Sequence, residues 1–405
     1  MKTLAIVGAS LAGLSAARAA RALGFDGKLI IIGDEAERPY DRPPLSKDFL
    51  LGRIGTDDLA LETADEDLDA EWLLGSRAVK LDGATRTITL ANGTTVTADG
   101  IVLATGASAR TLPELAGLAN VFSLRTLADA QALSAELQPE RQLVVVGAGF
   151  IGAEAASTAK ALGLEVTVIE AQPVPLAGPL GTEMGSVVGR LHGLNGVELI
   201  CGTGVDLFHS YESQVTGLRL TDGRYVPADL VLVGIGAVPN IGWLDGSGVE
   251  TGNGVLCDAS GRTNMPGIVA VGDCAAWFNE RHGAHRRVEH WTTATEHPEV
   301  AVAALLEQPA SGSVKVPYFW SDQYGVKLQF AGNAAQADRV AIEAGDPQEH
   351  NVLAVYYRGE EPVAVLGMNQ VRLFTKWRRT LNQAAAPAVD APASAPAPAV
   401  AAVPA

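Results

Sequence analysis

The stretch LVVVGAGFIGAE, residues 143–154, decides how this chain folds. The apolar run Leu143 to Val146 meets three glycines spaced as G-x-G-x-x-G (Gly147, Gly149 and Gly152), and an alanine-rich, helix-compatible segment follows. That order predicts a strand, a tight turn and a helix. Glycine at 147 permits the turn, at 149 it lets a pyrophosphate approach the backbone, and at 152 it lets the helix pack close to the strand. The helix then aims its free N–H groups and the positive end of its dipole at the phosphates. Downstream, VTVIE (166–170) predicts the next strand, ending on Glu170. A carboxylate there accepts hydrogen bonds from a ribose diol and repels a 2′-phosphate, so the unit is expected to prefer NADH to NADPH.

A second fingerprint opens the chain. LAIVGASLAG (4–13) carries Gly8 and Gly13 with Ser10 at the middle position, and a small-residue helix is expected over 14–23. Serine still permits close phosphate approach, although its Cβ restricts the backbone more than glycine would. LIIIGDE (29–35) is then a buried strand closing on two acids. Spacing leaves open whether Asp34 or Glu35 meets the ribose, with Asp34 the first choice. One dinucleotide cannot occupy both fingerprints, so two cofactors are implied: a resident FAD and a nicotinamide nucleotide that comes and goes.

With 405 residues, 47% of them apolar and 44 of them glycine, the chain has room for two or three domains with many tight turns. A formal net charge of −16 argues against non-specific nucleic-acid binding. Cys201, Cys257 and Cys274 are far apart and form no C-x-x-C, which predicts a reducing compartment and no dithiol or metal framework. Strand-like sequence from Leu4 and the lack of a long apolar run give the expectation of a cytoplasmic protein without a signal peptide or membrane span. The histidines offer no catalytic triad or metal spacing, and His282, His285 and His290 are expected to be solvated or packed.

RPYDRPPLSK (38–47) is too proline-rich to be helical before Leu45. The acidic residues 56–71 are expected to form a solvated helical face. Residues 78–90 predict a hairpin, with a turn at Ala91-Asn92-Gly93. Buried strands are expected at 99–107, at 231–240 and at 268–275, the last stopped by Asp273, where sheets of this kind bind ligands. A helix is expected over 292–306, short strands from 314 to about 367, a basic helical end over 372–379, and a disordered Ala/Pro tail.

The motifs RPYDRPPLSK (38–47), LATGA (103–107), SLRTLADA (123–130), VVVGAGFIGAEAA (144–156), GIGAVPN (234–240), VGDCA (271–275), VEHW (288–291) and FWSDQYGVKLQ (319–329) occur in the order of a known family. The chain resembles the NADH-dependent ferredoxin reductases of bacterial oxygenase systems, among the glutathione-reductase-like flavoproteins. The resemblance implies an α/β protein with two Rossmann-like dinucleotide-binding domains and a C-terminal α+β domain. The expected boundaries are 1–109 and 241–313 for FAD, 110–240 for NAD, 314–382 for the C-terminal domain and 383–405 for the tail.

It also implies FAD contacts at Ala12, Asp34, Lys47, Ala78, Arg125, Asp273 and Trp291, and NADH contacts at Gly149, Ile151, Glu154, Glu170, Gly236 and Glu289. Arg42, Ala104, Thr105 and Gly106, from the first two motifs, join the cofactor-binding set. Lys47 and Glu154 resemble the family's ion pair beside flavin N5. The helix after Trp291 would point its N-terminus at the flavin. The sequence departs from the family at Ser10 and at Glu296-His297-Pro298, where the proline is expected to kink that helix at a cost of about 3 kcal/mol.

The implied partner is a [2Fe–2S] ferredoxin, Rieske-type or putidaredoxin-like, and monomer and homodimer both stay open. A rubredoxin acceptor, or NADH sensing of the kind shown by apoptosis-inducing factor, is the alternative. Two basic clusters, Arg281/Arg286/Arg287 and Arg372/Lys376/Arg378/Arg379, are candidates for docking, with Trp320 near the flavin.

Overall fold

A computed structural model of the chain describes residues 1–280, 283–310 and 314–385. Apolar strands too short to be buried by themselves assemble into two parallel sheets. In the first, the order is Ile268–Ala270, Gly100–Leu103, Thr3–Val7, Lys28–Ile32 and Ala70–Leu73, all parallel. The Thr3–Val7 strand is buried over its last four residues, as an interior strand covered on both faces must be. Helix α1 (Leu11–Ala22) presents Ala16, Ala17, Ala19 and Ala20 to this core.

The second sheet repeats the plan with the strands Glu198–Cys201, Glu165–Glu170, Gln142–Val146, Leu230–Val233 and Val121–Phe122. In this sheet Val121–Phe122 precedes, and the other four strands follow, α2 (Leu127–Glu136), which opens on a capping box between Thr126 and Asp129. Its own helices are α3 (Phe150–Ala161) and α4 (Ala177–Leu194). Chain order matters here: the first sheet receives its edge strand, Ile268–Ala270, only after the whole second sheet has been laid down.

A short antiparallel pair, Ala107–Ala109 with Ala237–Pro239, carries the chain between the two sheets. Asn240 fastens the crossing. Its side-chain Nδ2 donates to the Thr105 carbonyl at 2.9 Å, and its Oδ1 accepts from Ser108 Oγ at 2.7 Å.

The third body is an antiparallel sheet in the order Tyr318–Gln323, Val326–Gly332, Glu361–Met368, Asn351–Arg358 and Arg339–Asp346. Helix α6 (Val371–Ala385) closes it by driving Phe374, 1% exposed, against Gly367. The helix extends three residues into the stretch expected to be tail, and residues 386–405 lie outside the described residues.

Two local expectations are corrected. Residues 56–71 contain one 3-10 turn, Asp57–Leu59, and the start of the strand Ala70–Leu73, but no α-helix. Their acids serve tertiary partners instead of a helical face: Glu66 binds Arg18 at 2.6 Å and Glu62 binds Arg38 at 2.5 Å. Helix α5 (Trp291–Leu305) runs unbroken through Pro298, which is buried inside it. Proline has no N–H to offer the carbonyl one turn earlier, while the apolar face of Ala301, Val302 and Leu305 stays in the core. The hairpin expected over 78–90 is present as Ala78–Asp82 paired with Thr87–Leu90.

Candidate active site

The two glycine turns are built alike. Gly8 and Gly147 have φ of +124° and +104°, and a Cβ would lie 2.0 Å from the Ala104 carbonyl oxygen and 2.4 Å from that of Gly234 respectively. Gly13 and Gly152 bring each helix onto its turn, where a Cβ would lie 1.8 Å from Gly8 O and 2.2 Å from Gly147 O. These four glycines serve the packing of the chain itself. Gly149 differs: its φ is −73°, and nothing lies within 4 Å of the place a Cβ would take. The chain does not need glycine there, so the vacant volume in front of α3 fits a phosphate approaching the helix N-terminus. Ser10, at the same place before α1, directs its hydroxyl sideways, where it accepts from Arg42 Nε at 3.3 Å.

Both turns open into one continuous cleft of about 1980 Å³. Every residue expected to touch a cofactor lines it except Gly13, Gly147 and Gly152, three of the four packing glycines. Its donor set suits two nucleotides: two helix N-termini for pyrophosphates and acids at the ends of the neighbouring strands.

Those acids are held differently. Glu35 uses both oxygens, one accepting from Tyr40 OH and one from Arg42 Nη2, each at 2.5 Å. Asp34 faces Arg77 Nε at 3.7 Å and is well exposed. In the second unit, Glu170 accepts from Ala148 N at 2.8 Å and from Gln172 N at 2.9 Å. It therefore braces the glycine turn while its charge stays at the cleft edge.

Where the two units and the C-terminal sheet meet, Lys47 Nζ lies 2.9 Å from a carboxylate oxygen of Glu154. Glu154, 5% exposed, also accepts from Ser46 Oγ at 2.5 Å, Ser321 Oγ at 2.8 Å and Asp322 N at 3.3 Å. A buried carboxylate needs this much compensation to stay charged. One turn further along α3, Thr158 Oγ1 donates to the Ser46 carbonyl at 2.8 Å and fixes the loop that bears Lys47. Sequence reasoning found the ion pair through the resemblance but missed Ser46, Thr158 and Ser321. The only local sign was that Glu154 and Thr158 share a helix face.

Residues 2–297 match the model of the pyridine nucleotide-disulphide oxidoreductases, and residues 318–400 match that of the reductase C-terminal family. This chain is a pyridine nucleotide-disulphide oxidoreductase. It is 39% identical to the ferredoxin–NAD(+) reductase component of the biphenyl dioxygenase system of Paraburkholderia xenovorans, over 85% of this chain and 84% of that protein. It is 37% identical to the ferredoxin reductase subunit of a 5,5′-dehydrodivanillate O-demethylase from Sphingobium sp., over 92% and 91%. Among solved structures it resembles putidaredoxin reductase in its covalent complex with putidaredoxin, with a TM-score of 0.90 and 30% identity over 94% and 93% of the two chains.

In this oxidoreductase the cleft is further ordered by polar side chains brought from far apart. Arg125 pairs with Asp273 at 2.6 Å and donates from Nε to the Ala107 carbonyl, and Arg42 Nη1 donates to the Arg125 carbonyl at 2.7 Å. Trp291 Nε1 donates to Asp41 Oδ1 at 2.9 Å. Burial raises the Asp41 pKa, opposed by that hydrogen bond and by the Lys47 charge. The Trp291 and Trp320 rings meet edge-on at 6.1 Å, Trp320 stacks on Tyr318 at 6.0 Å, and the Arg378 guanidinium lies 4.0 Å over the Tyr318 ring.

The basic clusters are accordingly smaller than expected. Arg287 is almost buried, paired with Glu289 and donating to the Asp273 carbonyl at 3.3 Å, so it belongs to the site and not to a docking surface. Arg281 lies outside the described residues, as does His282. Arg378 is a packing residue, whereas Arg372, Lys376 and Arg379 are exposed on α6.

The oxidoreductase carries no disulfide among its three cysteines, and Cys257 and Cys274 are buried. Among the described residues there is no metal-binding cluster and no helix long and apolar enough to cross a membrane. His290 is the surprise. It lines the cleft, and its Nδ1 is buried with no hydrogen-bond partner.

Proposed function

We infer that this protein is an FAD-dependent ferredoxin reductase that takes electrons from NADH and delivers them to a [2Fe–2S] ferredoxin serving an oxygenase. The observation that carries this reading is the single cleft in which two dinucleotide turns converge on the buried Lys47–Glu154 pair. When bound, the flavin supplies the conversion of a two-electron hydride donor into single electrons.

The chain's own residues do the rest. The N-terminus of α1 and Arg42 would hold the FAD pyrophosphate, Asp34 its adenosine ribose, and the Arg125–Asp273 pair the polar chain leading to the ring. Gly149 and the N-terminus of α3 would admit the NADH pyrophosphate, with Glu170 at its ribose. Lys47, pinned by Glu154, presents a fixed positive charge where negative charge accumulates on reduction.

The reading draws support from relatives named as ferredoxin reductase components and from likeness to a reductase described in complex with its redox partner. Although the whole chain carries −16, the exposed cations on α6 offer a local field for an acidic partner. The test is anaerobic: NADH must bleach the bound flavin, and a [2Fe–2S] ferredoxin must restore it. A flavin that NADH reduces and no small iron–sulfur protein reoxidises overturns the assignment, as does rapid reoxidation by rubredoxin alone.

A further inference from the structure

The strand Tyr318–Gln323 carries two polar side chains into the protein interior. Side chains alternate along a strand. Tyr318 and Trp320 therefore stack together on one face, while Phe319, Ser321 and Gln323 share the other. Ser321 stands opposite Leu328 and Gln323 opposite Val326, both buried apolar residues of the neighbouring strand. Ser321 and Gln323 are each 0% exposed, and neither lines the cleft.

The two are bonded in series. Gln323 Nε2 donates to Ser321 Oγ at 3.0 Å, and Ser321 Oγ donates to Glu154 Oε1 at 2.8 Å. A hydroxyl has one hydrogen to give and two lone pairs with which to accept. With the amide donating to its oxygen, Ser321 keeps that hydrogen for the carboxylate, and the bond gains strength because each donor polarises the next. On the far side of Glu154 the series ends on Lys47, whose Nζ meets Oε2 at 2.9 Å. Packing does not account for this arrangement. Gln323 Oε1 is buried without a hydrogen-bond partner, which costs stability that a methionine of similar size would not lose. The amide is of use through its other end, the donor to Ser321.

We propose that Ser321 and Gln323 are positioning residues for hydride transfer: from the C-terminal sheet they fix the Glu154 carboxylate, and through it the Lys47 charge. The inference rests on the FAD and NADH reading given above. Because neither residue reaches the cleft, each acts on the rate through Glu154 and not by holding a nucleotide. A Lys47 charge that is out of place stabilises the reduced flavin less, so hydride arrives more slowly. The C-terminal sheet thereby takes part in the NADH half of the reaction as well as standing on the acceptor side.

The experiment is a double-mutant cycle on the holoenzyme. Ser321→Ala, Gln323→Met and the double variant are compared with wild type. Anaerobic stopped-flow gives the limiting rate of flavin reduction and the Kd for NADH, and FAD content and Tm are measured alongside. Ser321→Ala should lower the limiting rate roughly tenfold, as expected for one hydrogen bond to a charged group. Gln323→Met should lower it about threefold, and the double variant should be no slower than Ser321→Ala, because the amide acts only through the hydroxyl. FAD content and the Kd for NADH should stay near the wild-type values. A wild-type limiting rate in Ser321→Ala overturns the proposal, and so do losses that multiply in the double variant or that appear only in Tm or FAD content. Should Ser321→Ala fail to fold, Gln323→Met decides, and an unchanged limiting rate there overturns the proposal. A wild-type holoenzyme that NADH does not reduce would instead overturn the function on which the inference rests.

Discussion

Lys47 and Glu154 are 107 positions apart in the chain and 2.9 Å apart in the fold. Because Glu154 also receives donors from Ser46 and Ser321, its position is fixed from two parts of the protein outside α3 and Lys47 inherits that rigidity. Replacing Lys47 by Met should slow flavin reduction by NADH on the order of 10²-fold while FAD stays bound. Anaerobic stopped-flow absorbance reads both quantities. A wild-type reduction rate in that variant would remove Lys47 from the mechanism.

The two glycines of the second turn should respond oppositely. Gly152→Ala places a methyl 2.2 Å from the Gly147 oxygen and should unfold the middle unit, whereas Gly149→Ala meets no protein atom. Gly149→Ala should keep the melting temperature and lose NADH affinity tenfold or more, about 1.4 kcal/mol. Calorimetry and nucleotide titration separate them. Equal destabilisation by both changes would show that position 149 serves packing.

Nucleotide choice should follow Glu170. Wild type should prefer NADH strongly in kcat/KM, since a 2′-phosphate would meet that carboxylate. Glu170→Ala combined with Gln172→Arg should move the preference toward NADPH. Some general loss is expected with it, because Glu170 also accepts from Ala148 N in the glycine turn. Comparable wild-type values for the two nucleotides would defeat the assignment.

Docking should depend on the exposed face of α6. Lys376→Glu with Arg379→Glu should lower kcat/KM for ferredoxin roughly three- to tenfold at low salt, with the loss shrinking as salt rises. Ferricyanide turnover should not change, since a small acceptor needs no protein surface. Arg378 is left out of the test because it packs over Tyr318. If both acceptors lose rate equally, the helix supports the fold and does not dock the partner.

Acid should destabilise the protein before its carboxylates titrate. Burial holds His192, His290 and His297 near pKa 4, against 6.5 when unfolded. Between those values the unfolded chain binds more protons, so stability falls as pH falls from about 6.5 to about 4, by at most about 3 kcal/mol per histidine. His192 is the cleanest probe, with Nδ1 bonded to Tyr324 OH at 2.8 Å and Nε2 buried without a partner. His192→Gln should reduce the pH dependence of the unfolding constant by one proton. An unchanged dependence would mean that His192 is already charged in the fold.

What could be read from the sequence was what is encoded locally. Gly8, Gly13, Gly147 and Gly152 announce themselves because strand, turn and helix are consecutive, and the hairpin over 78–90 is equally local. The acidic stretch 56–71 misled because charge suits a solvated helix as well as a loop, and only Arg18 and Arg38, distant in sequence, decide between them. Ser46 and Ser321 were invisible for the same reason, since a serine gains its meaning when Glu154 is folded beside it. His290 looked like a packed or solvated ring. Its orphaned nitrogen exists only once Phe319 and α5 close around it.

The late edge strand of the first sheet sets a timetable. Gly100–Leu103 waits for Ile268–Ala270, roughly 165 residues further along the chain, before the parallel sheet is complete. At ribosomal rates of about 5–20 residues per second, that interval is on the order of ten to thirty seconds. During it the nascent amino-terminal unit carries an open apolar edge, while the middle unit, whose strands all lie within residues 121–233, has everything it needs to fold. The unit made first is therefore finished second, and Asn240 closes the crossing just before the missing strand emerges.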